Sequence, residues 1–512
     1  MADAGRTSYY AAGWPMGRVM MADNTATRRI FLTSASAMAS TAVVQGVIFR
    51  TTAFAGTRMS DAEKWTHAMA ALGPRITCGE AHRKWITYLA SRLSEMGLHA
   101  TRYPVPVRYW EAAAWSLDVT DHLGRVTSIP VANYVPYAGE TSPEGISAQL
   151  VDLGPGAAAN YMDKNVAGKI ALVDKTFPGD RSAKDYIGPL IATYPPDLDV
   201  SRLSLVGRPA SGGGNNISVL LATAKANGAN AAVVVLDLPP EAAARQFTPH
   251  QQREISFPAL NLDRVQGAKL RALMTTGPVS AKLVLQAKRD DGAMADYLVA
   301  KLPGNGKYKG AVCLLTHTDG QNAIEENGGP AMLAIAKHFS GVPAAQRDRD
   351  IYLIFSACHM KNGSENTDPA AFLKMQPAIA KDIAIIFTIE HLGGKEWRVG
   401  PDKTSYAATG ERDMWILGMS DNQTLKSISL DELKKRNFTK LLVTLPPRNL
   451  YGEGTYTKND YPSIAAFADG EHLLQLWNDD KSATSLIDFD FMNEQVDFFT
   501  SLTGRFLSAP NF

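Results

Sequence analysis

Between Glu80 and Met96 the apolar residues Trp85, Leu89, Leu93 and Met96 recur on one helical face, and Gly97 follows as a stop signal. The next stretch, 98–110, is extended in character. Pro104 and Pro106 confine it to the edge of a sheet, because proline removes a ladder donor. From about 130 to 288 the texture changes. A glycine turn at Gly168 enters the apolar run 170–173, a helix over 222–228 ends at Gly228, and the buried run 229–235 follows. The run 255–260 then leads into a polar helix. After Arg289, short apolar runs at 297–302, 311–315, 351–357 and 383–389 alternate with amphipathic stretches such as 330–339. Runs with so little polar alternation suit strands buried on both faces. The predicted fold class is therefore α/β, with an open, doubly wound, mostly parallel sheet and a smaller α/β domain inserted into it. Ligands of such sheets bind beyond the carboxyl ends of the strands, so the polar residues after each run are where chemistry is sought.

Length and composition narrow the class. A chain of 512 residues exceeds one ordinary core. Division into a segment 1–55, a main domain of 56–129 with 289–512, and an insert of 130–288 fits the shifts in pattern. Lys plus Arg number 52 and Asp plus Glu 51, a balance without the basic excess that nucleic-acid binding draws on. No apolar run is long enough to span a membrane. Cys78, Cys313 and Cys358 are too few for a disulfide framework and contain no CxxC pair. Cys313 and Cys358 fall in or beside core strands and read as buried, inert thiols. Gly212-Gly213-Gly214 lacks the Lys-Ser/Thr of a phosphate loop and reads as a flexible loop.

Near the start, Thr27-Arg28-Arg29-Ile30-Phe31-Leu32 precedes a weakly apolar stretch, and Ala53-Phe54-Ala55 supplies a small-X-small cleavage pattern. The segment resembles a twin-arginine export signal. It implies a periplasmic or extracellular protein, and cleavage after Ala55 leaves 512 − 55 = 457 residues.

Three loops carry candidate chemistry. The run 311–315 leads into Thr316-His317-Thr318-Asp319-Gly320, Glu325-Glu326-Asn327 opens the helix near 330, and 383–389 leads into Glu390-His391. One imidazole and two carboxylates converging from separate loops form a plausible shell for zinc, with a nearby Asp to orient the imidazole. His391 is expected to point away from Glu390, since neighbours at a strand end alternate faces. His359, after the run 351–357, is either a proton carrier near neutral pH or a satisfied structural histidine. Glu453 and Tyr456 lie in a glycine-flanked loop that reads equally as a surface turn or a substrate contact.

The order GKIALV, then AKANGANAAVVV, then ISFPAL resembles the protease-associated (PA) domain over roughly 150 residues. Most of 66–508 resembles the M28 family of metallopeptidases, exported aminopeptidases that often carry such an insert. His317 and Asp319 match the family's His-X-Asp. Glu326 stands where the bridging Asp is expected and Glu390 at the next Asp, each one methylene longer. The family's Glu-Glu pair is missing, because the chain reads Cys358-His359-Met360-Lys361 there, and Asn478 stands at the late His, with His472 a candidate replacement. The resemblance implies a zinc-exopeptidase-like fold and an exported hydrolase of amide or peptide bonds. It implies one zinc held by His317, Glu326 and Glu390, with Asp319 orienting His317 and His359 as the non-standard base. Peptides or small amides are the implied substrates. A catalytically inactive binding or scaffold protein, and a hydrolase of non-peptide amides or esters, remain the other readings.

Overall fold

The computed structural model describes residues 59–512 except 178–180, 188, 206–215, 250–253, 361–366, 446–451, 469, 471–472, 474 and 477–479. The expected export segment, Gly212-Gly213-Gly214, His472 and Asn478 therefore lie outside the described residues. The body from Arg58 to Phe512 carries two large sheets.

The first sheet has nine strands, in the order Ala100–Pro106, Met294–Leu302, Ile351–Ser356, Ala311–His317, Ile383–Thr388, Ser463–Ala468, Trp415–Met419, Leu441–Thr444 and Leu190–Tyr194. Pairing is parallel through the middle, from Ile351–Ser356 across Ala311–His317 and Ile383–Thr388 to Ser463–Ala468. Towards both margins antiparallel pairs join it, alongside the parallel pair of Trp415–Met419 with Leu441–Thr444, so a parallel centre is flanked by mixed edges. Every residue of Ala311–His317 and Ile351–Ser356 is buried, which is why those runs show no alternation. Ala100–Pro106, with its two prolines, is an edge strand as expected.

Helices cover the faces. In Glu80–Glu95 the stripe Trp85, Leu89 and Leu93 is fully buried, each side chain contributing roughly 1.5–3 kcal/mol on leaving water. Gly97 then turns left-handed at φ 76° and ends the helix. Gly328–Ser340 starts against the sheet itself, where a Cβ on Gly328 would collide with the Ile389 carbonyl and the Thr316 hydroxyl. Among the described residues no helix is long and apolar enough to cross a membrane.

The second sheet has eight strands: Val126–Ser128, Tyr109–Thr120, Ser280–Asp290, Ile146–Asp152, Ile170–Lys175, Ala231–Leu236, Ala259–Leu262 and Asn133–Tyr134. Sheet membership departs from the expected boundaries at 129 and 289. Tyr109–Thr120 belongs to the second sheet because it is the entering strand and pairs antiparallel with the leaving strand, Ser280–Asp290, along its whole length. In the other direction, Leu190–Tyr194 leaves the 130–288 stretch to pair with Leu441–Thr444 at the margin of the first sheet. The layers also dock through Gln475, whose amide donates to the Glu241, Ala242 and Ala244 carbonyls.

Candidate functional site

His317 is the last residue of its strand and is fully buried. Its Nδ1 donates to the Asp319 carbonyl at 2.8 Å, which fixes the tautomer and turns Nε2 toward Glu390 Oε2, 3.1 Å away. Asp319 thus orients His317 through its main chain. Its carboxylate acts elsewhere, accepting the N–H groups of His359 at 3.0 Å and Met360 at 2.9 Å, together with the Thr77 hydroxyl. Burial opposes ionisation of Asp319, but His82, His317 and His359 and the Thr77 hydroxyl hold its carboxyl below the usual range.

The two adjacent glutamates part company. Glu326, an expected ligand, turns onto the Arg75 guanidinium, both side chains being fully buried. Arg75 also donates to the carbonyls of Met69, Gly73 and Asn322. A side chain on Gly320 would collide with the Glu326 carboxylate, so the glycine is what admits the pair. Glu325 faces the other way, its Oε1 3.5 Å from His359 Nε2 and its Oε2 3.4 Å from His391 Nε2. The change from Glu326 to Glu325 follows from neighbouring side chains projecting in different directions, which a register of residue types does not reveal.

His391 breaks the expected alternation. Its φ is 56°, left-handed, and this turn brings its imidazole to the same side as the Glu390 carboxylate. His317, Glu390 and His391 each offer a donor atom within 4.8 Å of the others, and His317, Glu325 and His359 form a second such group. Both Glu390 oxygens, both His391 ring nitrogens and His317 Nε2 are buried without a properly aligned hydrogen bond among the described residues. Buried polar groups in native proteins are nearly always satisfied. Five convergent exceptions of imidazole and carboxylate type fit a divalent ion of zinc character. The ligand chemistry therefore suits the metal that the sequence pattern implied, with His391 rather than Glu326 beside His317 and Glu390.

His359 lies on the other side of His317, the two rings stacked at 4.0 Å between centroids. Its Nδ1 is 3.2 Å from Glu453 Oε1 and its side chain is 13% exposed, the most accessible of the group. Burial opposes a charge on its ring, yet the Glu325 and Glu453 carboxylates raise the imidazole well above its ordinary value. Glu453 is itself buried, so the loop is more than a surface turn, while Tyr456 is 42% exposed.

Amide side chains lock the loops. Asn322 accepts the N–H groups of Ile324 and Glu325 and donates to the Leu473 and Gln475 carbonyls. Asn327 and Leu392 exchange two hydrogen bonds, at 2.6 and 2.8 Å, tying the helix start to the turn after Glu390. The sequence pattern included Glu325 and Asn327 without giving either a role, and it did not single out Arg75. Of these, only Glu325 carried a signal, its adjacency to Glu326.

Comparison with solved structures places the fold. A peptidase M28 precursor from Shewanella amazonensis superposes with a TM-score of 0.61 at 14% identity, over 88% of this chain and 98% of its own. A zinc aminopeptidase from Bacillus subtilis gives 0.58 at 15% identity, over 88% and 96%. An aminopeptidase from Aneurinibacillus sp. strain AM-1 gives 0.54 at 13% identity, over 89% and 95%. No protein-family model and no curated protein matches the chain. At such identities the likeness is one of fold, and the expected zinc-exopeptidase-like α/β fold is borne out.

Proposed function

We propose that the protein is a metal-dependent hydrolase of amide bonds, of the M28 aminopeptidase type, acting on peptides or small amides. The observation that carries this reading is the buried convergence of His317, Glu390 and His391 with donor atoms left without aligned partners. These three residues would hold a single ion, most consistent with zinc. Bound there, the ion would supply Lewis acidity toward a carbonyl oxygen and toward water. The capture of Glu326 by Arg75 supports one ion rather than two, since it withdraws a carboxylate from the cluster.

The chain's own residues do the rest. His317 presents Nε2 because its Nδ1 proton is committed to the Asp319 carbonyl. Glu325 and Glu453 flank His359 and keep a proton-bearing imidazole at the least buried edge of the cluster, where a substrate amide arrives. Asp319 fixes the 359–360 turn that presents it. The Arg28-Arg29 pattern supports export to the periplasm or beyond, and the second sheet, with its run of parallel strands, supports a PA-type insert.

Metal analysis of the purified protein and of His391→Ala tests the proposal, alongside hydrolysis of aminoacyl anilides, N-blocked amides and simple esters. The expected result is about one equivalent in the parent and a loss of at least tenfold in affinity in the variant. Parent protein holding less than about a tenth of an equivalent, with no turnover of any of these substrates, would overturn the proposal in favour of a binding protein. Cleavage of blocked amides or esters alone would move the substrate class away from free amino termini.

A further inference from the structure

Met360 belongs by sequence to the loop after the Ile351–Ser356 strand, yet its side chain is fully buried in the apolar core of the second sheet. Tyr137 reaches the same place from the other layer. It sits in a turn between Asn133–Tyr134 and Ile146–Asp152 with a left-handed φ of 57°, is 4% exposed, and donates its hydroxyl to the Met360 carbonyl. Its ring packs against Trp110 at 5.7 Å, and its carbonyl accepts the Ile255 N–H, so the tyrosine is fixed from two sides. On the opposite side of the turn the Asp319 carboxylate takes the N–H groups of both His359 and Met360. The turn carrying His359 is thus clamped between a carboxylate of the first sheet and a phenol of the second.

The geometry points to Tyr137 as a positioning residue. Its hydroxyl sets where the His359 imidazole stands relative to His317 and Glu325, so the inserted layer governs turnover without touching the substrate. This rests on the hydrolase reading above for its catalytic consequence, but the placement of the turn stands independently of it. His359 lies 3.5 Å from Glu325 and stacks on His317 at 4.0 Å. Displacements of about 1 Å at such separations are enough to cost large factors in rate.

Tyr137→Phe keeps the ring and removes only the hydroxyl. Amide hydrogen exchange on the metal-free protein is expected to run roughly fivefold or more faster at His359 and Met360, and to stay unchanged at Thr318, whose N–H is held by the Ser356 carbonyl. With metal restored, kcat is expected to fall roughly tenfold at unchanged KM and unchanged metal content. Trp110→Phe is the packing control: it loosens the same core while leaving the hydroxyl in place, and exchange at 359–360 is expected to move less than about twofold. Equal loosening by both variants, or no change at 359–360 in Tyr137→Phe, would overturn the proposal. Absence of turnover in the parent protein would refute the hydrolase reading alone, since the exchange measurement still decides the role of Tyr137.

Discussion

Substituting Arg75 by Met leaves Glu326 as a carboxylate with no countercharge in a site where both side chains are at most 1% exposed. Removing one partner of a buried pair costs about 3–5 kcal/mol, because the remaining charge keeps its desolvation penalty and loses its compensation. The Met69, Gly73 and Asn322 carbonyls lose a donor as well, so the upper end of that range is expected. Glu326→Gln should cost a comparable amount by stranding the guanidinium. In the double variant Arg75→Met/Glu326→Gln neither charge remains, and the loss should fall short of the sum by roughly 2–3 kcal/mol. Urea midpoints on all four proteins give the coupling, and metal content measured on the same preparations gives the second readout. With Glu326 committed to Arg75, Glu326→Gln is expected to retain its metal. Additive losses, with a coupling below about 0.5 kcal/mol, would refute the pairing argument. Loss of metal from Glu326→Gln at unchanged stability would restore Glu326 as a ligand, as its place in the sequence suggested.

Two further tests probe neighbouring parts of the site. A Cβ on Gly452, at φ 54°, would collide with the Glu390 carboxylate; Gly452→Ala is therefore expected to weaken zinc binding at least tenfold in calorimetric titration, and unchanged affinity would show Glu390 to be dispensable. His82 accepts the Cys78 N–H at Nδ1 and so presents Nε2–H to the Thr318 hydroxyl, and burial pushes its imidazole down to about 4. The unfolded chain, with a value near 6.5, binds the proton first, so stability should fall by up to about 3 kcal/mol as pH drops from about 6.5 to 4. His82→Asn should flatten that part of the pH profile of the urea midpoint, and identical profiles would show that His82 is not the group responsible.

The strands and their burial were legible in the chain because burial on both faces leaves a direct mark, unbroken apolar residues. Helix ends were legible for a similar reason: Gly97 and Gly228 adopt the left-handed turns at 76° and 83° that other residues avoid. His317 and Glu390 were likewise marked by position, each just beyond an apolar run. What tertiary structure alone decided was direction. Glu325 rather than Glu326 faces the cluster, because Arg75, far back in the sequence, takes the second carboxylate. His391 joins Glu390, because a left-handed backbone cancels the alternation of an extended strand. Tyr109–Thr120 changes sheets, because the strand that leaves an inserted layer needs the entering one as its partner. Local pattern encodes which residues avoid water, whereas the rotation of a single peptide and the arrival of a distant partner, neither of which alters that pattern, choose which polar groups meet.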